Sequence, residues 1–132
     1  MELNTFQQKA MTTCMPSCEN ISYMLLNLVG EVGEFASKIA KNIRKENVYI
    51  GGHKNLKGLS RLCVYPHFID AMEDWDAELK KEAGDILWQL SGVCSVMGWS
   101  LEEIAQMNLD KLAARKAAGT IDGSGDGIIR SK

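Results

Sequence analysis

The chain contains no apolar run long enough to span a bilayer, and its opening residues, MELNTFQQKA, lack the apolar core of a secretory signal. Both absences point to a cytoplasmic protein with no membrane partner. Histidine is scarce: His53 and His67 are the only two, and no Ser/His/Asp or Cys/His constellation for nucleophilic catalysis is apparent. Neither charge sign is in excess. Fifteen Lys and Arg against 17 Asp and Glu give a formal net charge of -2, which carries no footprint for nucleic acid. Small anionic ligands remain open, because metal ions can neutralise them locally. Cysteine is limited to Cys14, Cys18, Cys63 and Cys94, and the spacing between the first two matches no common zinc or redox pattern. These read as reduced, structural thiols, with Cys94 in the core.

What is present describes an ordinary globular chain. A hydrophobic share of 45% with 24% charged residues argues against wholesale disorder. The length of 132 residues fits one domain, 1–132, with a modest core and little room for an enclosed active site. Oligomerisation would supply the missing walls.

Helical periodicity dominates. A short helix is expected from about Phe6 to Met15, interrupted at Pro16. Beyond it Ile21, Leu25, Leu28, Val32, Phe35, Ile39 and Ile43 recur at spacings of three and four, one apolar stripe of a long helix. Beside the stripe runs a polar row of Asn27, Glu31, Glu34 and Lys38. Gly30 and Gly33 each cost about 1 kcal/mol relative to alanine in a helix, so their place around Glu31 suggests close approach of another helix or a ligand. Residues 46–76 lose the pattern and read as a long irregular insertion with a short helix near Ile69 to Trp75 and a basic first half, Lys54, Lys57 and Arg61.

Periodicity returns with Leu79, Ala83, Ile86, Leu90, Val93 and Met97, flanked by Glu78, Glu82, Asp85 and Gln89. Gly98 should end that helix and Ser100, with Glu103 three residues on, should start the next. In this last helix Asn108, Lys111 and Arg115 share a face. Gly119 marks its end, and the tail 119–132 is too glycine-rich for helix.

The spacing of Glu31/Glu34 and of Glu82/Asp85 is the chemically informative feature. A separation of i, i+3 puts each pair on one helix face about one turn apart. If the two helices pack together, four carboxylates converge. They repel one another unless a divalent cation binds, and an all-oxygen site suits Mg²⁺, with Mn²⁺ as a substitute. Lys111 and Arg115 could stabilise phosphate charge, and Asn108 could add a hydrogen bond. Trp88, one turn beyond Asp85, could stack on a base or pack in the core. Each feature also has a bland explanation: such glutamate pairs are commonly solvated charge, and Lys111 and Arg115 would suit any helix C-terminus.

The order GEVGE, then EAGDILWQL, then MNLDKLAARKAAGTIDGSGD resembles the MazG-like nucleoside triphosphate pyrophosphohydrolases of the all-α NTP pyrophosphatase group. The match spans roughly residues 20 to 45 and 77 to 130. This resemblance implies an all-α bundle of four to five helices, with the two acidic helices antiparallel neighbours and the insertion between them. It implies that Glu31, Glu34, Glu82 and Asp85 hold magnesium, and that Asn108, Lys111 and Arg115 contact phosphates. It implies hydrolysis of a nucleoside triphosphate between the α and β phosphates, in a homodimer or homotetramer. Glu34 is the expected proton acceptor and Glu78 a supporting carboxylate. The separation of Glu34 from Glu82 is longer than in the compact members, which leaves the base preference open. Two rivals stand beside this reading: a non-catalytic nucleotide- or partner-binding helical module, and a di-iron carboxylate bundle. The second wants Glu-x-x-His on two helices, and neither acidic helix carries a histidine.

Overall fold

A computed structural model describes residues 1–51 and 61–122. The architecture is all-α, with four α-helices among the described residues and one small hairpin. Helix α1 spans Leu3–Met11 and is followed by a 3₁₀ turn at Pro16–Cys18. Helix α2 spans Ile21–Arg44, and its first turn is capped by Asn20, whose side-chain oxygen accepts from the Tyr23 N–H at 2.8 Å. Helix α3 covers Met72–Val96 and helix α4 Leu101–Ala118. The α1 boundary differs from expectation: it begins at Leu3 and ends before the Thr12/Thr13 pair, whose hydroxyls bond back to the Lys9 and Ala10 carbonyls. Such local side-chain bonds compete with helix continuation.

The described part of the insertion, 46–51 and 61–76, carries more regular structure than its sequence suggests. Strands β1, Val48–Gly51, and β2, Arg61–Val64, form an antiparallel pair with Val48 opposite Val64 and Gly51 opposite Arg61. A 3₁₀ stretch at Pro66–Ala71 then leads directly into α3, which starts at Met72, earlier than the return of periodicity at Leu79. The short helix expected at Ile69 to Trp75 is therefore the junction of that stretch with the first turn of α3. Period-2 alternation is too brief in VYIG and RLCV to be legible. Tertiary contacts hold the hairpin in place: Val48 is 1% exposed against α2, and Tyr49 and Tyr65 lie with ring centroids 4.9 Å apart. His53, Lys54, Lys57 and the Gly-Ser-Gly-Asp tail lie outside the described residues.

Both glycine stops match expectation. Gly98 and Gly119 have φ values of 72° and 70°, the left-handed conformation that ends helices at low steric cost. Ser100 caps α4, its Oγ accepting from the Glu103 N–H at 3.2 Å. Helices α2 and α3 pack antiparallel, with Met24 beside Gly92, Asn27 beside Gln89 and Lys38 beside Glu78 and Glu82.

The apolar stripe of α2 is only partly covered. Met24 is fully buried, Asn27, Glu31 and Lys38 of the polar row are half-buried along with Leu28, Phe35 and Ile39 of the stripe, and Ile21, Leu25, Val32 and Ile43 stay exposed. On α3 Glu82 and Gln89 of the polar row are buried together with Val93 of the apolar row, Leu79 and Ile86 are half-buried, and Leu90 is exposed. The two polar rows thus meet inside the chain. Among the described residues Gly30 and Gly33 are not sites of close approach: a methyl at Gly33 would meet nothing within 4 Å, and one at Gly30 only Asn27 Oδ1 at 3.8 Å. Gly92 of α3 is the close-packed glycine of the α2/α3 contact, because a Cβ there would press on Met24 Sδ.

Candidate functional site

The meeting of polar rows creates a carboxylate cluster. Glu31 and Glu34, one turn apart on α2, face Glu82 of α3, and one oxygen from each lies within 4.8 Å of the others. Asp85 stands one turn along α3 from Glu82, outside this three-residue cluster but near enough for its charge to act on Glu31. The cluster runs from buried to open: Glu82 is buried, Glu31 half-buried and Glu34 exposed. Three carboxylates at this spacing, with no nitrogen or sulfur donor among them, fit a hard divalent cation such as Mg²⁺ or Mn²⁺.

Glu31 is positioned by a buried network. Asn27, one turn earlier, donates from Nδ2 both to Glu31 Oε1 and to Gln89 Oε1, each at 3.1 Å. Gln89 is 1% exposed and donates in turn to the Met24 carbonyl at 3.4 Å. Burial raises the Glu31 carboxyl above its ordinary range, the charges of Glu34 and Asp85 push the same way, and the Asn27 hydrogen bond opposes them. Such a group loses its proton more readily when a cation arrives. Asn27 and Gln89 belong to the polar rows visible in sequence, yet their role as an orienting pair depends on the helix packing.

A lysine neutralises the far side of the cluster. Lys38 Nζ lies 2.6 Å from Glu82 Oε1 and 3.4 Å from Glu78 Oε2. Its hydrogen bond to Glu82 holds the ammonium above its usual range. Glu78, bridged also by Lys81 at 2.7 Å, has its carboxyl held below the usual range, chiefly by Lys81. Beside this pair a cleft of about 430 Å³ opens between α2 and the start of α3, lined among others by Lys41, Lys45, Asn47, Phe68 and Trp75. Its mixture of amines, an amide and aromatic rings suits a phosphorylated aromatic ligand.

The remaining sequence candidates lie elsewhere on the chain. Asn108 borders an apolar groove with Leu3, Leu87, Leu90 and Ile104, and Lys111 borders the adjoining cleft with Met107. Arg115 is half-buried near the end of α4, where its carbonyl accepts from Thr120 N–H at 2.9 Å. None of these three lines the cleft beside Lys38. Trp88 faces α1: its indole N–H donates to the Ala10 carbonyl at 3.1 Å and to Thr13 Oγ1 at 2.9 Å. Cys94 is 1% exposed, as expected for a core thiol, and none of the four cysteines is joined in a disulfide.

Comparison with known proteins supplies an independent line. A family model described as the MazG nucleotide pyrophosphohydrolase domain matches residues 19–119, a span that contains every carboxylate of the cluster and the Asn108 to Arg115 face. The "Gene 37 protein" of Mycobacterium phage L5 is 33% identical over 110 residues, covering 83% of this chain and 78% of that protein. No solved structure matches.

Proposed function

Because this chain belongs to the MazG nucleotide pyrophosphohydrolase family, we propose that it hydrolyses a nucleoside or deoxynucleoside triphosphate between the α and β phosphates, in a Mg²⁺-dependent reaction. The observation that carries the proposal is the convergence of Glu31, Glu34 and Glu82 on one point, in a part of the chain that the family model matches.

Glu31 and Glu82 would hold the cation, with Asp85 joining from the next turn of α3 and Glu34 reaching it from the open side. When bound, Mg²⁺ supplies charge neutralisation for the phosphates and polarises a phosphoryl oxygen. Glu34, exposed at the mouth, accepts the proton of the attacking water. One water is consumed, one phosphoanhydride bond breaks, and the monophosphate and pyrophosphate leave. Asn27 and Gln89 keep Glu31 aimed at the cation, so the chain's own contribution is largely preorganisation. The basic, aromatic-edged cleft beside Lys38 receives part of the nucleotide.

Asn108, Lys111 and Arg115 contact phosphates in this proposal, and they do so in an assembly of chains acting on the cytoplasmic nucleotide pool. Support for a homodimer or homotetramer comes from α2, where Leu26 and Val29 are 75% and 73% exposed. Apolar side chains in such a row call for a covering surface.

The test is pyrophosphate release from a panel of canonical and modified dNTPs with Mg²⁺. Turnover of at least one member is expected, and Glu82→Gln should abolish it while leaving helicity unchanged. No product from any member, with folded protein and Mg²⁺ or Mn²⁺ present, would favour a nucleotide-binding module without catalysis.

A further inference from the structure

We propose that Lys38 is a resident counter-cation of the carboxylate cluster, which the divalent ion displaces from Glu82 and which then turns to Glu78 and the adjoining cleft. This inference rests on the metal site of the preceding section. Three observations place Lys38 in that role. First, its ammonium holds the same carboxylate that belongs to the cluster, at 2.6 Å from Glu82 Oε1, and Glu82 is the most buried of the three acids. An acid removed from water needs a nearby positive charge, and within the chain this lysine supplies it.

Second, the ammonium and a divalent ion sharing Glu82 would stand only a few ångströms apart in a partly buried setting, where like charges repel strongly. A carboxylate can bridge two cations, but here the alternative acceptor is already in reach. Glu78 Oε2 lies 3.4 Å from the same ammonium, one turn earlier on α3, so release from Glu82 requires a change of side-chain rotamer and no movement of a helix. Third, Lys38 lines the cleft that also presents Lys41 and Lys45. Displacement would therefore shift the Lys38 ammonium from Glu82 toward that cleft when the cation binds, and an anionic ligand there would meet a more favourable field.

The opposite possibility is that Lys38 orients Glu82 for the metal, in which case removing it would weaken metal binding. The two roles predict opposite signs. Mn²⁺ titration followed by electron paramagnetic resonance, without nucleotide, separates them. Lys38→Met is expected to bind Mn²⁺ about tenfold more tightly than the wild type, the size of losing one adjacent like charge, and Lys38→Arg should stay near the wild type. Equal or weaker binding by a folded Lys38→Met would overturn the displacement role and leave the metal site standing. Absence of Mn²⁺ binding by the wild type would bring down the metal site and this inference together.

A second measurement needs no variant. In ¹⁵N-lysine-labelled wild type, the Lys38 ammonium signal should shift on saturation with Mg²⁺, and a signal that does not move would count against displacement. Glu78→Gln removes the acceptor that Lys38 turns to. It should bind Mn²⁺ more weakly than the wild type, and unchanged affinity would sink the hand-off.

Discussion

Glu31 is where the chemistry and the stability of this chain pull against each other. Its carboxyl is held above the ordinary range by burial and by the neighbouring charges of Glu34 and Asp85. A carboxyl raised in the folded state is penalised once ionised, so its cost is absent below the unfolded value of about 4.3 and grows as pH rises through the folded value. Without divalent cations, Glu31→Gln should therefore raise Tm at neutral pH, with the gain vanishing near pH 4. Mg²⁺ should raise the Tm of the wild type and leave that of the variant unmoved; scanning calorimetry at both pH values checks both statements. Gly92 makes a separate residue-scale prediction. A methyl there would press on the end of the Met24 side chain, which must swing toward the cavity it lines with Met11 and Val96, so Gly92→Ala should cost about 1 kcal/mol in urea unfolding, the low end for an added core methyl. Gly33→Ala, with nothing within 4 Å, should instead stabilise the helix by about 0.5–1 kcal/mol. Lost turnover in that more stable variant would mean that a second chain or the nucleotide comes close there.

At the scale of elements, α1 acts as a clamp on the helix pair behind it. Gln7 donates to Ser95 Oγ at 3.1 Å and to the Trp99 carbonyl at 2.9 Å, while its own oxygen accepts from the Leu101 N–H at 2.7 Å. Asn4 Oδ1 accepts from Ser100 Oγ at 2.7 Å and from the Glu102 N–H at 3.2 Å. Two side chains of α1 thus satisfy donors at the α4 N-terminus that its own backbone leaves open. Gln7→Ala would strand the N–H of Leu101, which is 4% exposed, and should cost about 1–3 kcal/mol with the helix content kept. Circular dichroism with denaturant melts measures both. The clamp is not legible in sequence, since Asn4 and Gln7 look like ordinary polar positions of a short helix. The hairpin is illegible in sequence for a related reason: four-residue strands gain their stability from Val48 against α2 and from the Tyr49/Tyr65 contact, not from local pattern.

For the whole molecule the arrangement of polar and apolar faces is decisive. Helix α2 gives its carboxylate face to α3 and leaves Leu25, Leu26, Val29 and Val32 outside, each at least 47% exposed. A row of that kind on a water-facing helix is unfavourable unless another surface covers it. Leu26→Glu together with Val29→Glu should reduce the mass seen by light scattering to that of one chain, without loss of far-UV helicity. If Asn108 and Lys111 contact phosphates as proposed, turnover should fall with it, since neither lines the cleft beside the carboxylates of its own chain. A monomeric mass for the wild type would remove that account of the exposed row.

The sequence by itself determined the helices, their glycine stops, the all-α class and the two acidic pairs, because helix periodicity, capping and i, i+3 spacing are local properties that short stretches of chain express. It could not decide which stripe of each long helix turns inward. An amphipathic helix specifies two faces but not their partners, and here members of both polar rows meet across the α2/α3 contact, Asn27 with Gln89 and Lys38 with Glu82. That choice is tertiary: burying Glu82 becomes tolerable once Lys38 stands across from it, and orienting Glu31 requires Asn27 to meet Gln89 across the interface, 62 positions away in the chain.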